Sequence, residues 1–132
     1  MVIETNEQSY HFSTPQEVLG FLRERHKAHA ADELGVKGEE VFACLCLLTN
    51  QNSVHLSYLG SLPGETYQAT GDASRGEDGE TGEEILFFAG DETIPFPVRE
   101  VISFDTALQC VEEFCETLSR PTCVEWDDLL LL

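Results

Sequence analysis

The run Val41-Phe42-Ala43-Cys44-Leu45-Cys46-Leu47-Leu48-Thr49-Asn50-Gln51-Asn52-Ser53-Val54-His55-Leu56-Ser57-Tyr58 decides the architecture of this chain. From Val41 to Leu48 every position is apolar, as in a central strand buried on both faces. Thr49 to Ser53 is a cluster of polar turn formers. Val54, Leu56 and Tyr58 then alternate with His55 and Ser57, the period-two pattern of a half-buried antiparallel strand. A second turn falls near Gly60 to Gly64, and strands follow around Glu65 to Ala69 and Ile85 to Ala89. Strand following strand through short polar turns predicts an antiparallel meander.

Helical signals flank this meander. Upstream, Gln8 to Phe12 reads as a short strand, and Ser13-Thr14-Pro15-Gln16-Glu17 starts a helix. Thr14 is the cap, Pro15 suits the first helical position, and Glu17 completes a capping box. Val18, Leu19, Leu22 and His26 share one face, with Phe21 at its edge. Arg23, Arg25 and Lys27 occupy the other face, where late-turn cations complement the helix dipole. This helix is expected to end near Ala31, before Asp32 and Gly35. Downstream, Pro95 and Pro97 are expected to break regular structure. Ser103 caps a second helix with the apolar stripe Phe104, Ala107, Leu108, Val111, Phe114, Cys115 and Leu118, stopped by Arg120-Pro121. Thr122 to Trp126 predicts a last short strand. The order defines an α+β fold: an antiparallel sheet, a meander of about four to five strands, with two helices packed on it. Residues 1–132 read as a single domain, and the apolar ending Leu129 to Leu132 docks either on the body or on a partner.

A chain of 132 residues buries roughly 65–70% of its unfolded surface, enough for one core without staples. Its most unusual property is charge: 25 Asp and Glu against 7 Lys and Arg, a formal net charge of −18. Nucleic acid and anionic membranes would be repelled, so neither is expected as a partner. The favoured partner is a basic protein, including one whose own site normally binds phosphates, although solubility alone also calls for charge. No apolar run approaches the roughly 18 residues of a membrane span. The 5 cysteines are odd in number and mostly lie in apolar segments, and the opening residues Glu4 to Gln8 are polar. Together they predict buried thiols in a reducing cytoplasm.

Catalytic and metal signals are weak. Cys44-x-Cys46 is expected to direct its thiols to opposite faces of a strand, and His26 and His29 have no third ligand nearby, so no metal is predicted. The acids Asp72, Glu77, Asp78 and Glu80 do not follow the spacing of a calcium loop. His11 and His55 lie on candidate strands and could approach a thiol, which keeps a small Cys or His enzyme as a third reading. There is no glycine-rich phosphate loop and no nucleophile elbow. The expectation is a protein that is no enzyme and carries no cofactor.

Binding has the stronger signals. Residues 70–84 contain four glycines and almost no apolar side chain, as in a long loop or a wide hairpin tip. Asp72, Glu77, Asp78, Glu80, Glu83 and Glu84 concentrate carboxylates there, and Asp91 and Glu92 extend the run. A second cluster, Glu125, Asp127 and Asp128, surrounds Trp126. An aromatic anchor ringed by carboxylates suits an interface with a cationic partner, and the carboxylates would speed association. Trp126 also reads as a core side chain sealing the last strand.

The stretch Val98 to Leu129 resembles the ending of the first numbered family of immunity proteins in bacterial polymorphic-toxin systems. The features that carry the likeness are Ala107 and Phe114 in a helix, Arg120-Pro121, and Trp126-Asp127. Tyr58 to Gly60, Tyr67 and Gly71 fit the family's strands and glycine turns. The chain departs from the pattern at Leu118-Ser119, where the family implies a glycine before Arg-Pro. The resemblance implies a cytoplasmic antidote that neutralises a cognate toxin domain, including toxins that deaminate nucleic acids, by occluding its active site or substrate groove. Such a protein would act as a monomer. The competing reading is an acidic secretion chaperone, a dimer that holds a disordered effector segment.

Overall fold

The computed structural model describes residues 1–39, 43–60, 64–70 and 84–128. Their elements in chain order are β1 (Val2–Glu4), β2 (Ser9–His11), α1 (Pro15–Ala28), β3 (Ala31–Lys37), β4 (Cys44–Asn50), β5 (Ser53–Leu59), β6 (Thr66–Ala69), β7 (Glu84–Ala89), β8 (Glu92–Pro97), a single 3-10 turn (Val98–Glu100), β9 (Ile102–Ser103), α2 (Phe104–Thr117) and β10 (Trp126–Asp128). The fold is α+β. An antiparallel sheet runs β10-β6-β5-β4-β3-β1-β2, with β9 added beside β5, and β7 and β8 form a separate hairpin. The meander β3 to β6 is its centre, and the sheet extends beyond the four to five strands that the pattern predicts.

Sequence dictates the central hairpin directly. Leu45 and Leu47 on β4 lie opposite Tyr58 and Leu56 on β5, and opposite Val36 and Leu34 on β3. All of these face the helices and join Ile3, Val54 and Ile102 in one buried cluster. Val18, Leu19 and Leu22 of α1 and Phe104, Ala107, Leu108, Val111 and Phe114 of α2 close it from above. Each fully buried side chain of this size contributes about 1.5–3 kcal/mol.

The first helix begins as its sequence requires. Thr14 Oγ1 accepts from the Glu17 N–H at 3.2 Å, and Glu17 Oε1 accepts from the Thr14 N–H at 3.1 Å. It ends at Ala28, short of the expected Ala31, and Ala31–Lys37 is a strand. The local pattern hides this strand, because Asp32, Glu33 and Gly35 have poor strand propensity. Its pairing with β4 along seven residues overrides that preference. Arg25 fastens the turn between α1 and β3: its Nε donates to Asp32 Oδ2 at 2.6 Å, and its Nη2 donates to Asp32 Oδ1 at 3.3 Å.

Three other expectations change. Cys44 and Cys46 face the same side, with Sγ atoms 3.9 Å apart, because side chains two apart on a strand share a face. Pro95 and Pro97 do not break the chain but sit within β8, opposite Leu86 and Glu84. A proline is tolerated where a strand's N–H points away from its only partner, as at the edge of a two-stranded hairpin. The last strand is Trp126–Asp128 rather than Thr122 to Trp126. At the end of α2, Leu118 adopts the left-handed conformation (φ 54°) usually given to glycine, and its N–H donates to Phe114 O at 2.7 Å. Among the described residues no helix is long and apolar enough to cross a membrane.

Candidate protein-binding face

The helices cover one side of the sheet, and the β7–β8 hairpin lies over β3 and β4 on the other. Gly90, at φ 60°, makes the hairpin's two-residue turn possible with Asp91. Strand alternation then divides the run Ile85-Leu86-Phe87-Phe88 between two environments. Phe87 is 0% exposed against the sheet, whereas Leu86 is 49% and Phe88 42% exposed on the outward side. Thr93 and Pro95, the cross-strand neighbours of Phe88 and Leu86, are exposed beside them. Glu84 at the start of β7 and Asp91 and Glu92 at the turn are exposed too. The result is an apolar strip with carboxylates at both ends.

This strip is held rigidly from below. Asn50 Nδ2 donates to Leu86 O at 2.8 Å, pinning β7 to the end of β4. Phe96 on β8 stacks on the His55 ring of β5, with centroids 3.6 Å apart and planes 13° from parallel. Phe87 meets the edge of Phe96 at 5.8 Å. Gln68 on β6 donates through Nε2 to the Glu100 carboxylate, which leaves its Oε1 facing His55 Nε2 at 3.1 Å. A carboxylate only accepts, so it orients the Gln68 amide, and His55 must carry its proton on Nε2. Burial pushes the His55 pKa below its ordinary value and keeps the ring neutral.

Beside the hairpin an open groove of about 510 Å³ is lined by Glu4, Glu33, Cys44, Cys46, His55 and Phe96, among others. The hydrogen bond with the neighbouring Cys46 thiol, and then burial, push the Cys44 pKa up, which holds it as a thiol. The imidazole in this groove is already bonded to Gln68, and His11 instead meets Glu39 Oε1 at 3.3 Å. Among the described residues no group of three or more His, Cys, Asp or Glu is placed to hold a metal ion.

The second sequence candidate lies elsewhere. Trp126 is half-buried, packs edge-on to Tyr58 at 6.3 Å, and donates its indole N–H to Pro121 O at 2.7 Å. Its ring therefore seals the edge of the core. Asp127 is exposed opposite Gln68, and Asp128 is half-buried opposite Tyr67, whose ring carries the Arg120 guanidinium at 4.2 Å. Strand β10 is three strand spacings from β4, about 14 Å, so the Trp126 region and the hairpin are separate parts of the surface. Of the acidic run, Glu84 is described, while Asp72, Glu77, Asp78, Glu80 and Glu83 lie outside the described residues, as do Val41, Phe42 and the ending Leu129 to Leu132. Leu86 and Phe88 were not among the sequence candidates. A strand apolar on both faces reads as central, and its outward half becomes visible only once the described residues show Leu86 and Phe88 exposed.

Comparison with known families places this acidic α+β chain among the immunity proteins. The match is to Immunity protein Imm1 and spans residues 6–128, so the chain belongs to the Imm1 family. Ala107, Phe114, Arg120-Pro121 and Trp126-Asp127, which carried the resemblance, all fall within that span. A search of curated proteins found no match. Membership implies the role of an immunity protein, which is to bind a cognate toxin.

Proposed function

We propose that this protein neutralises a nucleic-acid-targeting toxin domain by laying the β7–β8 face over its active site or substrate groove. The observation that carries this reading is the outward pair Leu86 and Phe88, flanked by Glu84, Asp91 and Glu92. Among the described residues, these two and Leu59 are the large apolar side chains left most open. A rigid apolar anchor with a charged rim is the composition of a protein-binding hot spot. A toxin that acts on nucleic acid presents a cationic groove, and carboxylates compete there with phosphate. The acids of residues 72–83 continue the same run of sequence and add to its negative charge. The protein acts by binding rather than by catalysis, as a cytoplasmic single-domain monomer.

The test is association kinetics with the cognate toxin. Glu84→Lys, Asp91→Lys and Glu92→Lys together should slow association by about 10-fold or more at low salt and flatten its ionic-strength dependence. The variant should also protect poorly when co-expressed with the toxin. Unchanged association and full protection would remove the hairpin rim from the interface.

A further inference from the structure

Cys110 and Cys123 lie apart from the candidate face. Cys110 is buried in the middle of α2, and Cys123 is exposed in the connection that leads to β10. Their Sγ atoms are 2.8 Å apart, well inside the non-bonded separation of two sulfurs. The connection is fastened at Pro121 and Thr122, immediately before Cys123. Glu113, one helical turn beyond Cys110, accepts from the Thr122 N–H at 2.7 Å and from the Thr122 hydroxyl at 3.0–3.1 Å. The Trp126 indole holds Pro121 O at 2.7 Å. The two thiols are thus presented to each other by contacts that do not depend on them.

We propose that Cys110 and Cys123 are a redox site, closing reversibly into a disulfide that latches the 118–125 connection onto α2. The oxidant is a small disulfide, R–S–S–R. Cys123, being exposed, attacks first as a thiolate: its Sγ bonds to one sulfur and the other leaves as RS⁻, which takes up a proton. Cys110 Sγ then attacks the Cys123 sulfur of this mixed disulfide, releases the second RS⁻ and gives up its own proton. Two protein thiols and one R–S–S–R become one protein disulfide and two R–SH. Burial raises the Cys110 pKa, which suits it to the second, intramolecular step rather than to the first.

The other cysteines are poorly placed for the same chemistry. Cys44 and Cys46 are two apart on one strand, about 6.7 Å between Cα atoms with parallel side chains. A disulfide needs Cβ atoms about 3.5–4.5 Å apart. Burial pushes the Cys115 pKa up to about 11. The probe should be uncharged, since Glu113, Glu125 and the net charge of −18 repel anionic disulfides. Hydroxyethyl disulfide meets that requirement.

The full chain is treated with hydroxyethyl disulfide, its thiols are counted after denaturation, and its peptides are mapped. Two of the 5 thiols should be lost, with a Cys110–Cys123 cross-linked peptide and no retained hydroxyethyl group. The thermal midpoint should rise by roughly 5–10 °C and return with dithiothreitol. Cys123→Ser, a change at an exposed position, should abolish both effects. A stable mixed disulfide on Cys123, a bridge through Cys44, Cys46 or Cys115, or five unreacted thiols would each overturn the proposal.

Discussion

Phe87 and Phe88 are adjacent on one strand yet face opposite ways, so truncating each in turn separates folding from binding. Phe87 is 0% exposed and packs between the hairpin and the sheet. Phe87→Ala should cost about 3–5 kcal/mol of packing. Phe88 is 42% exposed, and its cross-strand neighbour Thr93 is exposed as well. Phe88→Ala should therefore change stability by less than about 1 kcal/mol. If Phe88 is an interface anchor, its loss should cost about 2 kcal/mol of toxin affinity, near 30-fold in Kd. Urea denaturation measures the first quantity and calorimetric titration with the toxin domain the second. The Phe87 variant should show the stability loss, or early release of the hairpin in hydrogen exchange. A Phe88→Ala protein that binds within twofold of wild type would refute the assignment of this face.

Two further outcomes follow from the layers beneath. The unfolded chain protonates His55 near pH 6.5, whereas burial holds the folded pKa below that value. Stability should be full above pH 6.5 and fall below it, with a limiting slope of about 1.4 kcal/mol per pH unit, until the folded pKa is passed. His55→Gln should flatten that limb, and equal slopes in wild type and variant between about pH 6.5 and 5.5 would contradict the account. Trp126→Phe keeps a ring against Tyr58 but orphans Pro121 O, a loss of about 1–2 kcal/mol of stability with toxin affinity unchanged. The reverse pattern, intact stability and lost affinity, would make the indole a contact residue.

Periodicity and capping reach a long way in this chain. The apolar run ending at Leu48 and the alternation from Val54 to Tyr58 are local patterns, and they specify the central hairpin. The Thr14–Glu17 box and Ser103 place both helix starts, because a cap is a contact between residues three apart. The acidic excess and the Imm1-like ending were also readable without coordinates. Long-range pairing decided the rest. Strand β3 exists because Leu34 and Val36 find Leu47 and Leu45 in register, against the preference of its own residues. The edge position of β8 makes its prolines acceptable. Whether a wholly apolar strand is central or covers one face is set by what packs on its second side, which no local window contains. That single tertiary fact turns Leu86 and Phe88 outward, and it adds an apolar strip to the acidic residues and Trp126 that the sequence offered as candidates.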